Sequence, residues 1–192
     1  MKKQRSLSHS IISVGVVTVI ILMVPFVAMQ FTDEVQWSLL DFATMGTLIF
    51  SIGIAYRLII RSSPNFAYQI ASTLAFGAVF LMVWANLAVG LIGSGANLAN
   101  VLYMVVPGVA IVGAFLSNSN PGKMERSMYA TVIALAVVTL IALLTKSSEY
   151  RSSPTTEILA ISGFFFLLFI AAALIFRLAT KQSDREPEKS NV

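Results

Sequence analysis

The sequence predicts an all-α protein, a six-span transmembrane helical bundle with both termini in the cytoplasm, and three observations predict it. Hydrophobic residues make up 57% of the chain and charged residues 11%, with a mean hydropathy of +0.82; soluble domains carry about a quarter of their residues as Asp, Glu, Lys or Arg. Apolar runs recur at 10–29, 37–60, 66–92, 100–117, 127–145 and 157–179. Each is near or above the about 20 residues that carry a helix across a hydrocarbon core about 30 Å thick. Cations alternate between the breaks: Lys2, Lys3, Arg5, Arg57, Arg61, Lys123, Arg126, Arg177, Lys181, Arg185 and Lys189 fall on one side, and only Lys146 and Arg151 on the other. The positive-inside rule makes the rich side cytoplasmic.

Residues 1–9 form a basic cytoplasmic start, and 10–179 the transmembrane domain. The first run follows a signal-peptide-like basic stretch, but Ile11–Met29 is longer than a signal core and no small-x-small cleavage site follows it. It is therefore predicted to stay as a span, with Pro25 as a local kink. Thr32 is placed to cap the second helix, with Asp33 and Glu34 complementing its dipole. Asp41 then lies one turn inside, about 6–8 Å below the outer interface at 1.5 Å per residue. An acid at the centre of a membrane helix is unfavourable by about 2.5–3.5 kcal/mol, which makes an acid within a span informative. Glu34, Trp37, Asp41, Thr44, Leu48, Ser51 and Ala55 share one helical face, which is expected to point into the bundle.

The third span ends in VWANLAVGLIGSGANLAN. If it stays helical, Asn86, Gly90, Gly93 and Asn97 recur at i, i+4, i+7 and i+11. The glycines then admit a close neighbour and the amides bond to it. Ala67, Ala71, Ala75 and Ala78 supply a second small-residue face, suited to a partner helix. GSGANLAN reads as the turn into the fourth span, where Asn97 or Asn100 caps the helix and Tyr103 opens its first turn. The tail from 180 to 192, KQSDREPEKSNV with its preceding Thr, is charged and Pro-containing and is expected to be a disordered cytoplasmic extension. VVTVI at 16–20 resembles VVTLI at 137–141, a recurrence too short to establish duplication.

These residues support two functional readings. In the preferred one, Trp37, Asp41, Trp84, Asn86, Asn97, Asn100 and Tyr103 line a periplasmic-side pocket that binds or transports a small molecule or ion, as a small transporter would. The acid and aromatic faces would suit a cation. In that arrangement the indoles double as interfacial anchors. In the other, the chain is an accessory or assembly subunit with no ligand of its own. Gly90, Gly93, Ala71 and Ala75 then serve helix packing, against other subunits or in a homo-oligomer.

The words VPFVAMQFTDEVQWSLLDF and VWANLAVGLIGSGANLANVLY resemble segments of an uncharacterised family of small multi-span bacterial inner-membrane proteins, from the first span into the fifth. The resemblance implies a shared architecture in the inner membrane and brings no activity with it.

Catalysis is not expected. The chain has no cysteine and a single histidine, His9, at the cytoplasmic end of the first span. Neither a His-rich metal site nor bis-His haem ligation can be built within one chain from that set, and no metal or cofactor is expected. Ser94 would need His9 as its base from the opposite membrane face. No P-loop or dinucleotide fingerprint is present, and the cation pattern suits a lipid bilayer rather than nucleic acid.

Overall fold

In the computed structural model, residues 7–61, 65–88, 90–92, 98–144 and 155–189 are described. The chain is all-α: α1 (Leu7–Ala28), α2 (Leu39–Ile60), α3 (Phe66–Ala88), α4 (Leu98–Tyr103), α5 (Val105–Leu116), α6 (Pro121–Leu144) and α7 (Thr155–Lys189). α1, α2, α3, α6 and α7 are each long and apolar enough to cross a membrane, which makes this a multi-pass membrane protein. Gly93, Ser94, Asn97, Lys146 and Arg151 lie outside the described residues.

Helix starts follow local hydrogen-bond chemistry. Asn65 caps α3, its Oδ1 accepting the Tyr68 amide at 3.1 Å. Asn120 caps α6 in the same way through the Lys123 amide at 3.0 Å. Pro121 at the first helical position needs no amide partner, so α6 begins at 121 rather than at the predicted 127. Asn118 and Ser119, with φ of 48° and 61°, turn the chain between α5 and α6.

Three further boundaries differ from expectation. α3 stops at Ala88 instead of running to 92. Gly90 follows with φ of 78°, and its amide bonds to the Asn86 carbonyl at 3.1 Å. The helix predicted to carry Asn86 and Gly90 on one stripe therefore ends before Gly90, at a left-handed glycine; the stripe's other members, Gly93 and Asn97, lie outside the described residues. The fourth run is two helices, broken at Met104. Pro107 has no amide for the Tyr103 carbonyl, and its ring crowds that oxygen, so the ladder cannot run through. The last helix, predicted to end with the span at 179, runs on as α7 to Lys189. Lys181, Gln182, Arg185 and Glu186 are good helix formers, and extending an existing helix needs no new nucleus.

The chain divides into two compact units, Met1–Leu58 and Ile59–Val192. In the first, α1 and α2 meet through Phe26 against Phe42, with ring centroids 6.4 Å apart, and through two glycines of α2. A Cβ on Gly46 would lie 3.2 Å from Leu22, and one on Gly53 only 2.7 Å from Val14. Arg57 donates to Ser13 Oγ at 3.2 Å near the other end. In the second unit α7 packs against both α6 and α3, α5 packs on α6, and α4 touches α5 and α6. Phe169, Ala172, Ala173 and Phe176 of α7 are fully buried, with Tyr68 edge-on to Phe176 at 5.3 Å.

Small residues set how close these helices come, since lipid gives apolar helices little reason to associate except packing. A Cβ on Gly113 of α5 would run into the Ser127 side chain of α6, while Gly77 and Gly108 have open space. Gly113→Ala is expected to lower the thermal midpoint in detergent by several degrees, equivalent to about 1–3 kcal/mol of overpacking. Gly77→Ala and Gly108→Ala should leave it unchanged or raise it slightly, through about 0.5–1 kcal/mol of helix propensity.

Candidate functional site

Trp37 and Asp41 belong to the first unit, and Trp84, Asn86, Asn100 and Tyr103 to the second. Asp41 is in the first turn of α2, not a turn inside it, because the helix begins at Leu39. Ser38 donates both its backbone amide and its hydroxyl to Asp41 Oδ2, each at 2.7 Å. The Asp41 amide donates to Ser38 Oγ at 3.2 Å. This reciprocal pair is a capping box, in which a hydroxyl and an acid three residues on satisfy each other's amides. Thr32, the expected cap, instead accepts the Glu34 amide at 3.1 Å in the preceding turn.

Within the first unit, α1 does not cover the polar face of α2. Glu34, Asp41, Thr44 and Ser51 are exposed. The covered face carries Phe42, Gly46, Ile49 and Gly53, since that is where α1 can approach. Trp37 is half-buried and meets Phe42 edge-on, with centroids 5.2 Å apart.

In the second unit the two asparagines of the quoted stretch close a turn. The Asn86 carboxamide donates to the Asn100 carbonyl at 2.6 Å. Asn100 Oδ1 accepts the Ile92 amide at 2.9 Å, deep in the protein, where Ile92 is 2% exposed. Asn100 thus serves both strands of the connection, its main chain holding the end of α3 and its side chain holding residue 92. Amides suit this task because each offers donor and acceptor together.

One turn further on, Tyr103 is fully buried, and its hydroxyl lies 2.8 Å from Ser162 Oγ and 3.2 Å from Thr139 Oγ1. Ser162 and Thr139 are 3.0 Å apart, and Thr139 also reaches the Leu135 carbonyl at 2.7 Å. Three hydroxyls from α4, α6 and α7 therefore form a closed triangle that pins the shortest helix to two long ones. Sequence reasoning singled out Tyr103 but not Thr139 or Ser162; their place in α-helical runs gave no sign of a shared partner. Ser38 was missed too, though Ser-Leu-Leu-Asp carries the capping-box spacing openly.

Trp84 is 42% exposed and stacks on Phe80, with planes 5° apart. Ala71 and Ala75 are buried within this unit, at 0% and 3% exposure, so that face of α3 is covered by the chain's own helices. A cleft between α3, α5 and α6, lined by residues such as Ala75, Phe76, Ala110, Ala114, Met124 and Met128, is apolar and contains none of the candidate polar residues. Among the described residues no three His, Cys, Asp or Glu side chains gather as a metal site would need. Compared with known proteins, the chain matches no protein-family model, no curated sequence and no solved structure.

Asn100→Ala takes an acceptor from a buried amide and is expected to destabilise by about 1–3 kcal/mol. Asn86→Ala should cost less, since it leaves a carbonyl rather than an amide short of a partner, and under-satisfied carbonyls are better tolerated than orphaned N–H groups. Thermal unfolding in detergent ranks the two; the reverse order would place the principal bond elsewhere.

Proposed function

We propose that the chain is an inner-membrane, six-crossing accessory or assembly subunit, oriented with both termini in the cytoplasm, that binds other membrane helices through the outer face of α2. One observation carries this reading. Asp41, Thr44, Thr47 and Ser51 are exposed along α2, on the side away from α1, whereas the polar side chains nearest the α3–α4 connection are bonded within the chain. Hydroxyls at a helix surface in hydrocarbon favour a second helix that offers hydrogen bonds and close approach. The α4–α5 pair serves as the remaining crossing, its residues 98–116 forming a bent passage across the bilayer.

The pocket reading is the less supported of the two. Asp41 bonds to Ser38 rather than standing ready for a cation, and Asn86, Asn100 and Tyr103 each hold a neighbouring element. The family resemblance in the Asp41 and Asn86 segments bears on architecture alone and favours neither reading.

The test is a pair of variants on α2, Thr44→Leu and Ser51→Leu, expressed at native level and analysed by native gel and cross-linking in membranes. Both should accumulate normally and lose a higher-mass complex. A complex that persists unchanged would overturn the assembly reading. Asp41→Asn keeps the cap's size and an acceptor oxygen, so it should accumulate with little loss of complex. Loss of ligand binding or flux in a protein that still accumulates would instead favour the pocket.

A further inference from the structure

The charge bias between loops says which helix ends carry cations and nothing about which faces do. At one end of the second unit the faces follow from two contacts. A Cβ on Gly122, at the start of α6, would lie 3.7 Å from the Thr180 side chain of α7. At the far end of the pair, Thr139 is 3.0 Å from Ser162, so α6 and α7 run antiparallel. Lys123 and Arg126 follow the first contact on α6, and Arg177 and Lys181 flank it on α7. All four are exposed.

Helix geometry sets them on one side of the pair. At 1.5 Å and about 100° per residue, Arg126 lies about 40° round α6 from Gly122 and about 6 Å farther in. Arg177 lies about 60° round α7 from Thr180 and about 4.5 Å farther in. Both rotations have the same sense about their own helix axes, so in antiparallel neighbours they carry the two guanidinium groups to the same side of the contact. Lys123 and Lys181, each one residue past the contact in sequence, turn to that side as well. Glu125 lies on the other side, about 60° round from the contact in the opposite sense, and is half-buried. Asp184, Glu186 and Glu188 come a turn or more farther out along α7.

Each cationic stripe turns apolar as it goes deeper. On α6, Arg126 is followed at i+4, i+7 and i+11 by Ala130, Ile133 and Val137, all exposed. On α7, Arg177 is followed inward at i−3 and i−7 by Leu174, exposed, and Ile170, half-buried. Two arginines at nearly equal depth suit a phosphate, which guanidinium groups bind through paired hydrogen bonds. Lysines at the rim reach the same level by extending their stems toward the headgroups. A free phosphate would use the cations and leave the apolar stripes without a role, and an acidic peptide would do the same; a phospholipid uses both. A zwitterionic headgroup brings its own cation against these four, so the face favours a lipid of net negative charge.

We propose that this face of the α6–α7 pair is a binding site for an anionic phospholipid, its phosphate between Arg126 and Arg177 and its acyl chains along the stripes from Ala130 to Val137 and from Leu174 to Ile170. The inference is independent of any helix bound along α2.

The test is native mass spectrometry of the purified full chain from micelles holding equal amounts of dioleoyl-phosphatidylglycerol and dioleoyl-phosphatidylcholine. The chain should retain phosphatidylglycerol in preference, on the order of tenfold or more. Equal retention would overturn the proposal. Arg126→Gln combined with Arg177→Gln should bring retention of the two lipids close to equal, whereas Lys2→Gln with Lys3→Gln, the same loss of charge elsewhere, should leave the preference intact. An equal loss in both pairs would overturn it, since net charge and not this face would then be selecting the lipid. Inorganic phosphate should leave the thermal midpoint in detergent unchanged while phosphatidylglycerol raises it; the same rise with phosphate alone would make the occupant a free anion and overturn the lipid assignment. Should the double arginine variant fail to accumulate, Lys181→Gln is expected to lower the preference about fivefold, and an unchanged preference is decisive against.

Discussion

The structure rests on one constraint: hydrocarbon offers no water, so each backbone group freed where a helix stops must find its partner inside the protein. The polar residues of this apolar chain are distributed accordingly. Ser38 and Asp41 close the start of α2 on each other, Asn65 closes α3 and Asn120 closes α6. Asn100 serves the connection after α3, taking the Ile92 amide on its side chain and the Asn86 carboxamide on its carbonyl. An amide or hydroxyl that looks costly in an apolar run thus offsets a larger cost, that of a bare backbone group in oil.

The same constraint explains the contact between the shortest helix and its neighbours. Pro107 interrupts the ladder through the fourth run, which leaves α4 with six residues and almost no stability of its own. Tyr103, at its last position, is anchored to α6 and α7 through Thr139 and Ser162. A fully satisfied buried network fixes one arrangement, because any shift would leave a hydroxyl unpaired at low dielectric. Glycine governs approach elsewhere: Gly113 lets α5 lie on Ser127 of α6, and Gly53 lets α2 lie on Val14 of α1.

The all-α class and the long apolar helices were legible in the sequence because crossing length and composition are properties of a run taken by itself. Helix ends were less legible. Asp41 reads as deep when the helix is started at Trp37; starting it at Leu39 turns the same residue into half of a capping box, and the two starts differ by a cap that hydropathy does not register. Asn86 and Asn100 were legible as residue types, yet a helical wheel drawn through Gly90 assigns Asn86 to a stripe without Asn100, whereas the φ of 78° at Gly90 ends the helix and the Asn86 carboxamide meets the Asn100 carbonyl. Tyr103, Thr139 and Ser162 could not be joined from sequence at all. Their separations of 36 and 59 residues follow from how α6 and α7 return past α4, which no local pattern encodes.

The distribution of satisfied and exposed groups also bears on where activity would reside. A ligand shifts or stabilises a protein only through interactions the unbound protein lacks. Side chains already closed on one another, as in the Asn86–Asn100 clasp and the Tyr103 triangle, must first break those bonds, and their net gain from a new partner is small. The exposed hydroxyls of α2 are bound by no such debt: Thr47 returns its proton to the Ala43 carbonyl and still presents lone pairs outward. This contrast between bonded amides and uncovered hydroxyls is what supports the proposal that another transmembrane helix binds along α2.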